Sequence, residues 1–206
     1  QERLLLAYRM GIFPWYSENE PIMWWSPDPR LILYPHQLKI SKSLKKTINK
    51  GDFALTMDQA FEDVIMACAR SRTDTHEGTW ILDEMIAAYC RLHESGLAHS
   101  VEAWVGNQLA GGLYGVSIGR CFFGESMFTR ISNASKVAFV GLVKYLQRLN
   151  FTLIDCQVST PHLLSFGALE IPRAQFLDEL AISLESPTLR GRWSFSHPAT
   201  ADNPLH

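Results

Sequence analysis

The chain's most apolar strand-like run ends on an ionisable side chain. Residues 121–130 read CFFGESMFTR. Cys121, Phe122 and Phe123 suit a strand buried on both faces, Gly124 breaks the run, and Glu125 follows at once. A carboxylate in that position is at least partly desolvated, which is costly unless it is paired or used. Two readings follow. Glu125 is tied to a nearby cation such as Arg130, or it is a site carboxylate flanked by Phe122, Met127 and Phe128, handling a cation or an amine beside an apolar pocket. A second polar pair lies in residues 151–158, FTLIDCQV. Strand alternation sends Asp155 and Gln157 to one face and Cys156 to the other. Two polar side chains at the end of a buried strand need partners, or a substrate.

Other chemistry is local or missing. Residues 39–50 (KISKSLKKTINK) hold five lysines, and on a helix Lys39, Lys42, Lys46 and Lys50 share one face. That face is either simply solvated or a patch for several backbone phosphates. Residues 11–30 carry Trp15, Tyr16, Trp24 and Trp25 among four prolines. The rings either close a small core or offer a stacking platform to a base. The seven histidines show no metal-ligand spacing, and no nucleophile–histidine–acid constellation is evident.

The elements that must position these groups follow from periodicity and punctuation. A helix over residues 2–10 stops at Gly11, and proline-pinned turns follow. A short strand at 31–34 precedes the lysine helix. From 53 the order becomes strand, two helices, three strands, helix, strand, helix. Asp58 reads as the cap of the first of these helices, running to Arg70, and a polar loop spans 71–80. The Gly106-Asn107 pair marks a hairpin between strands 100–105 and 108–116. Gly111, Gly112 and Gly115 suggest a bulge or a close backbone approach. The central strand spans 120–124, and Asn133 is the expected cap of a helix over 134–149. Helices over 161–166 and 174–184 complete the succession. It implies an α+β fold with a mostly antiparallel sheet, divided into a small N-terminal domain, 1–50, incomplete at its start, and a second domain, 51–206.

Composition sets limits. The chain has 206 residues, 47 % of them hydrophobic, enough for a sizeable core. A net charge of −2 excludes a generally basic nucleic-acid binder and leaves only local patches. No apolar run approaches the ~20 residues that span a bilayer. The scattered Cys68, Cys90, Cys121 and Cys156 read as reduced core thiols of a cytoplasmic protein.

Several blocks carry a family resemblance: GIFPWYS (11–17), WWSPDPR (24–30), EGTW (77–80), GESMFTR (124–130), NASK (133–136), IDCQV (154–158) and GALEIPR (167–173). In these blocks, in this order, the chain resembles the leucyl/phenylalanyl-tRNA–protein transferases. The resemblance implies transfer of Leu or Phe, and also Met, from aminoacyl-tRNA to a protein or peptide with an N-terminal Arg or Lys, marking it for degradation. It implies an acetyltransferase-like (GNAT-type) second domain, no metal, no cofactor, no membrane contact and a monomer.

Residue by residue, Trp15 matches the aromatic that stacks on the terminal adenosine, and Trp80 also lines the site. Leu113, Phe122, Met127 and Phe139 match the pocket for the Leu or Phe side chain. Such a pocket accepts both and rejects β-branched side chains by shape. Glu125 matches the site glutamate suited to a cationic acceptor. Asp155 and Gln157 match the pair at the reacting amine, with Asp155 expected behind Gln157 to polarise it. Lys42 and Lys46 match basic residues against the acceptor stem. Thr160 stands where some members have Asn at the oxyanion. Family members usually carry a further segment in front. Two other functions are weighed: a CoA-dependent N-acyltransferase, against which the glycine-free turn 131–136 argues because pyrophosphate needs exposed backbone N–H groups, and a tRNA-binding module without catalysis.

Overall fold

The computed structural model describes residues 1–16, 20–73 and 81–196. The expected loop 71–80 falls largely outside them, and Trp80 lies outside the described residues.

Among the described residues there are seven α-helices, a short 3-10 helix (Pro35–Gln37) and nine strands, the strands forming two sheets. Helix α1 (Glu2–Arg9) leads into a two-stranded ribbon, β1 (Phe13–Pro14) and β2 (Trp24–Trp25). Then come β3 (Arg30–Leu33), α2 (Lys42–Lys50), β4 (Ala54–Met57), α3 (Phe61–Thr73) and α4 (Asp83–Glu94). The meander β5 (Ala98–Val105), β6 (Gln108–Ile118) and β7 (Cys121–Thr129) follows. The chain continues through α5 (Ala134–Arg148), β8 (Leu153–Gln157), α6 (Pro161–Leu164), β9 (Leu169–Ile171) and α7 (Arg173–Leu184).

The large sheet runs β4-β5-β6-β7-β8-β3-β9, and every neighbouring pair is antiparallel except β7 and β8. A parallel pair needs a crossover, and buried α5 supplies it. Arg30–Leu33, on the N-terminal side of the expected boundary at 50, lies between β8 and β9 inside this sheet.

Strand alternation divides the core. Phe123, Leu153 and Ile32 join α1, α3, α4 and α7 on one face. Phe122, Ile154 and Leu33 join α2, α5 and Trp193 on the other. On α2, Ser41 caps the first turn by accepting from Leu44 N at 3.2 Å. Leu44 and Ile48 face inward and leave the lysines outside. Among the described residues, no helix is long and apolar enough to cross a membrane.

Two local expectations are corrected. Asp58 is no helix cap. It has φ 56° and is buried, and its carboxylate accepts from Ser100 N at 2.9 Å, His99 Nδ1 at 2.8 Å and Trp193 N at 2.6 Å. The central strand does not end at Gly124. It continues to Thr129 by taking up a bulge.

Candidate active site

The bulge makes the site. Tyr114 pairs with Ser126 and Gly115 with Gly124, so Glu125 is the extra residue of β7. A bulged residue leaves the ladder and re-aims its side chain, here into the protein. Gly115 is needed opposite it, because the Phe122 ring lies 2.6 Å from where a Cβ would be. The close approach expected at these glycines is made by the chain's own core: Phe123 O and the Phe122 ring at Gly115, Val101 O at Gly112 and the Ala134 Cβ at Gly111.

Beside the bulge the sheet opens. β7 and β8 pair only along Cys121–Phe123 and Leu153–Asp155, and the paired register ends there. A cavity of about 310 Å³ lies at that opening. Its apolar wall includes Leu113, Phe122, Met127, Phe139, Leu142 and Ile154, and its polar wall includes Glu125, Asp155 and Gln157. This is the size and composition of a small-ligand site with a few convergent polar groups.

Gln157 has φ 65°, a left-handed conformation uncommon outside Gly, Asn and Asp. This breaks the alternation expected for the strand. Its Nε2 donates to Glu125 Oε1 at 2.9 Å, while its backbone N donates to Asp155 Oδ1 at 2.9 Å. The expectation that Asp155 stands behind the Gln157 side chain is corrected. Asp155 holds the backbone, and Glu125 contacts the amide.

Asp155 is fully buried and takes a bidentate pair from Arg30, Nε to Oδ1 at 2.8 Å and Nη2 to Oδ2 at 2.6 Å. The guanidinium sits 4.9 Å from the Phe13 ring centroid and 4.5 Å from that of Phe176, and donates to Gly11 O at 3.1 Å. The planar fork of Arg suits both bidentate pairing and ring contact.

Glu125 is not paired with Arg130, which donates instead to Leu109 O and lies over the Phe128 ring. Its second oxygen accepts from Tyr89 OH at 2.7 Å, and Tyr89 OH lies 2.5 Å from Tyr8 OH. Burial pushes the Glu125 carboxyl up to about 7. The hydrogen bonds from Tyr89 and Tyr8 oppose the rise, and the negative charge of Asp155 adds to it. Burial, reinforced by Glu125, pushes both tyrosines far above their ordinary value, so they stay protonated donors.

The cavity brings together eight of the residues singled out from the sequence: Trp15, Leu113, Phe122, Glu125, Met127, Phe139, Asp155 and Gln157. Trp15 is 43 % exposed at the cavity's edge, and its carbonyl accepts from Trp25 Nε1 at 2.6 Å. Thr160 also lines the cavity, with its hydroxyl accepting from Leu163 N as the cap of α6. Cys156 reaches the wall too, but burial drives its thiol far up, away from thiolate chemistry. Lys42 and Lys46 are not cavity residues. They lie exposed on α2, which packs against α5. Lys144 of α5 is held below its usual value by burial and then by the positive charges of Arg148 and Lys45, so the basic face continues onto α5. Arg30, Tyr8 and Tyr89 are the polar residues that sequence reasoning missed. Among the described residues, no group of three or more His, Cys, Asp or Glu converges as a metal site.

Comparison with known proteins gives two family matches. Residues 32–181 match the leucyl/phenylalanyl-tRNA protein transferase family, and residues 1–28 match its N-terminal domain. A leucyl/phenylalanyl-tRNA–protein transferase of Desulfatibacillum aliphaticivorans is 64 % identical over 193 residues, 94 % of this chain and 83 % of that one. One from Anaeromyxobacter sp. (strain Fw109-5) is 60 % identical over 192 residues, 93 % and 82 % of the two chains. One from Nitrosomonas europaea is 53 % identical over 203 residues, 98 % and 86 %. Among solved structures, a conserved protein of unknown function from Bacteroides thetaiotaomicron aligns over 78 % of this chain and 57 % of its own. The TM-score is 0.45 at 12 % identity, too loose to carry an argument.

Proposed function

This chain belongs to the leucyl/phenylalanyl-tRNA protein transferase family, and we propose that its cavity is where the aminoacyl ester meets the acceptor amine. The activity is transfer of Leu or Phe from tRNA to a protein. One observation carries the assignment to the cavity. A single concavity holds both an apolar wall for the donor side chain and the Gln157–Glu125 pair for the amine.

The donor arrives as an activated ester, so no acyl-enzyme is required. The amine nitrogen forms a bond to the ester carbonyl carbon, the bond from that carbon to the ribose oxygen breaks, and one proton passes from nitrogen to the departing oxygen. The protein's part is mainly proximity and orientation. Leu113, Phe122, Met127 and Phe139 hold the donor side chain, and Trp15 stacks on the terminal adenosine. The Gln157 carbonyl oxygen accepts a hydrogen bond from the amine. Its Nε2–H donates to Glu125, and the negative carboxylate polarises the amide so that its oxygen accepts more strongly. Asp155, held by Arg30, fixes the Gln157 backbone in its left-handed conformation. Glu125, when ionised, also makes this wall acidic, which favours an acceptor beginning with Arg or Lys. Lys42 and Lys46 take the acceptor-stem phosphates.

We extend the proposal to Met as a third donor, whose unbranched side chain suits the same wall. The four free thiols favour a cytoplasmic setting. We further propose that it acts as a monomer. Three antiparallel strands, a crossover helix and a parallel strand that splays from its neighbour support an acetyltransferase-type sheet. The small N-terminal part, residues 1–50, serves the tRNA end, and β3 with Arg30 ties it into the catalytic part from 51 onward.

The test is transfer to an Arg-terminated peptide from tRNA charged with Leu, Phe, Met or Ile. Leu and Phe are expected to transfer, Met more slowly, and Ile at background. Equal transfer of Ile would sink the cavity as the selecting element, and tRNA binding with no transfer would sink the catalytic reading.

A further inference from the structure

We infer that Trp193 is a positioning residue that sets the depth of the aminoacyl cavity by backing Phe122. This rests on reading the cavity as the donor side-chain pocket. The family match ends at residue 181, and Trp193 follows it in the segment after α7.

Phe122 presents one side to the cavity and is only 1 % exposed. The Trp193 ring, which does not line the cavity, stands 6.1 Å away, centroid to centroid, at 36°. Trp193 is itself confined. Its ring stacks on the His99 imidazole at 3.7 Å and 7°, meets Phe151 edge-on at 5.8 Å, and lies 5.2 Å from Tyr145 of α5. Its backbone N donates to Asp58 Oδ2 at 2.6 Å, the oxygen that also accepts from His99 Nδ1. Burial holds His99 below its ordinary value, which keeps the ring neutral for this stack.

The segment around the tryptophan is seated as well. A side chain on Gly96 would run into the Gly191 backbone, so the segment lies directly against the end of α4. Two residues beyond Trp193, the Phe195 ring meets Tyr145 edge-on at 5.9 Å. The segment is thus fixed before, at and after the tryptophan.

Interiors are packed to crystal-like density, so a ring keeps its rotamer only while both flanks are filled. Phe122 lies over Gly115 of β6, bounds the cavity and has Trp193 as its ring neighbour away from the lining. With the indole removed, Phe122 can retreat, the cavity deepens, and the larger donor gains over the smaller.

The test is donor discrimination, which a merely structural loss would not move. Transfer of Leu and Phe to an Arg-terminated peptide is measured for wild type, Trp193→Phe, Trp193→Leu and Trp193→Ala, each below its melting temperature. The expected result is a Phe-over-Leu ratio in kcat/KM that rises as the side chain shrinks, by about tenfold at the smallest variant that folds. Trp193→Phe should stay near wild type. Losses by the same factor for both donors would overturn the inference and leave Trp193 a folding residue only. Wild-type protein that transfers neither donor would instead overturn the pocket reading itself.

Discussion

The Gln157 amide and the Glu125 carboxylate meet at 2.9 Å across the opening between β7 and β8. Neither would reach the other from a regular strand. Glu125 gets there through a bulge, and Gln157 through a left-handed backbone. The contact leaves the Gln157 carbonyl oxygen as the group offered to an incoming amine. Gln157→Asn tolerates the backbone but shortens the side chain by one methylene, a displacement of about 1 Å or more at the amide. Single-turnover transfer at saturating aminoacyl-tRNA is expected to fall about 100-fold with little change in melting temperature. An unchanged chemical step would remove Gln157 from the mechanism.

Glu125 should give activity and stability opposite pH trends. Its carboxyl is held up at about 7, against an ordinary 4.5. Between those values the folded protein keeps a proton that the unfolded chain has lost, so stability falls as pH rises, by an amount on the order of 3 kcal/mol. The ionised form is the one that polarises Gln157, so transfer should rise through pH 7. Glu125→Gln should flatten the stability slope and abolish the Glu125 step in the rate profile. The acceptor's own α-amine also titrates, near 8, and that step should persist in the variant. A rate profile identical to wild type would refute the role.

Arg30 and Asp155 form a buried pair whose value lies in both partners being present. Arg30→Met leaves an uncompensated carboxylate and should cost about 3–5 kcal/mol, read from denaturant midpoints. Arg30→Met with Asp155→Leu should recover part of that stability, because an apolar pair of similar volume replaces the ions. Transfer should not return with it, since the Gln157 backbone N has lost its acceptor. If transfer returned as well, Asp155 would serve folding alone.

The exposed lysines of α2 should act on affinity and not on the chemical step. Lys42→Ala with Lys46→Ala removes two phosphate contacts and should reduce the slope of log affinity against log salt by about 1.4 to 1.8. Filter binding of aminoacyl-tRNA between low and moderate salt measures this. An unaltered slope would take the helix out of the tRNA interface.

Much of the fold was legible because it is periodic. The meander, the crossover helix and the outward lysine face all follow from alternation, periodicity and turns, although Asn133, at the expected cap position of α5, is left-handed and makes no side-chain cap bond. The cavity's apolar wall was legible in part: Phe122 and Met127 flank the glutamate in sequence, but Phe128 beside them packs into the core and does not line the cavity, and Phe139 followed only from the family resemblance. What stayed hidden is long-range or aperiodic. Arg30 and Asp155 are 125 residues apart, and no local rule pairs them. Strand periodicity mispoints Gln157, because one residue at φ 65° cancels it. Arg130 is near Glu125 in sequence yet finds Leu109 and Phe128, since the bulge turns the carboxylate toward Tyr89. Asp58 had the look of a cap, but three N–H groups claim it from elsewhere.

Phe122 belongs to the same packed cluster as the crossover helix while also bounding the cavity. Choice of amino acid and thermal resistance therefore draw on one set of atoms. Any lineage that drifts toward a new donor at this wall will carry a melting-temperature signature of the change, and compensating substitutions should accumulate on α5, whose Phe139 and Leu142 share the wall with Phe122.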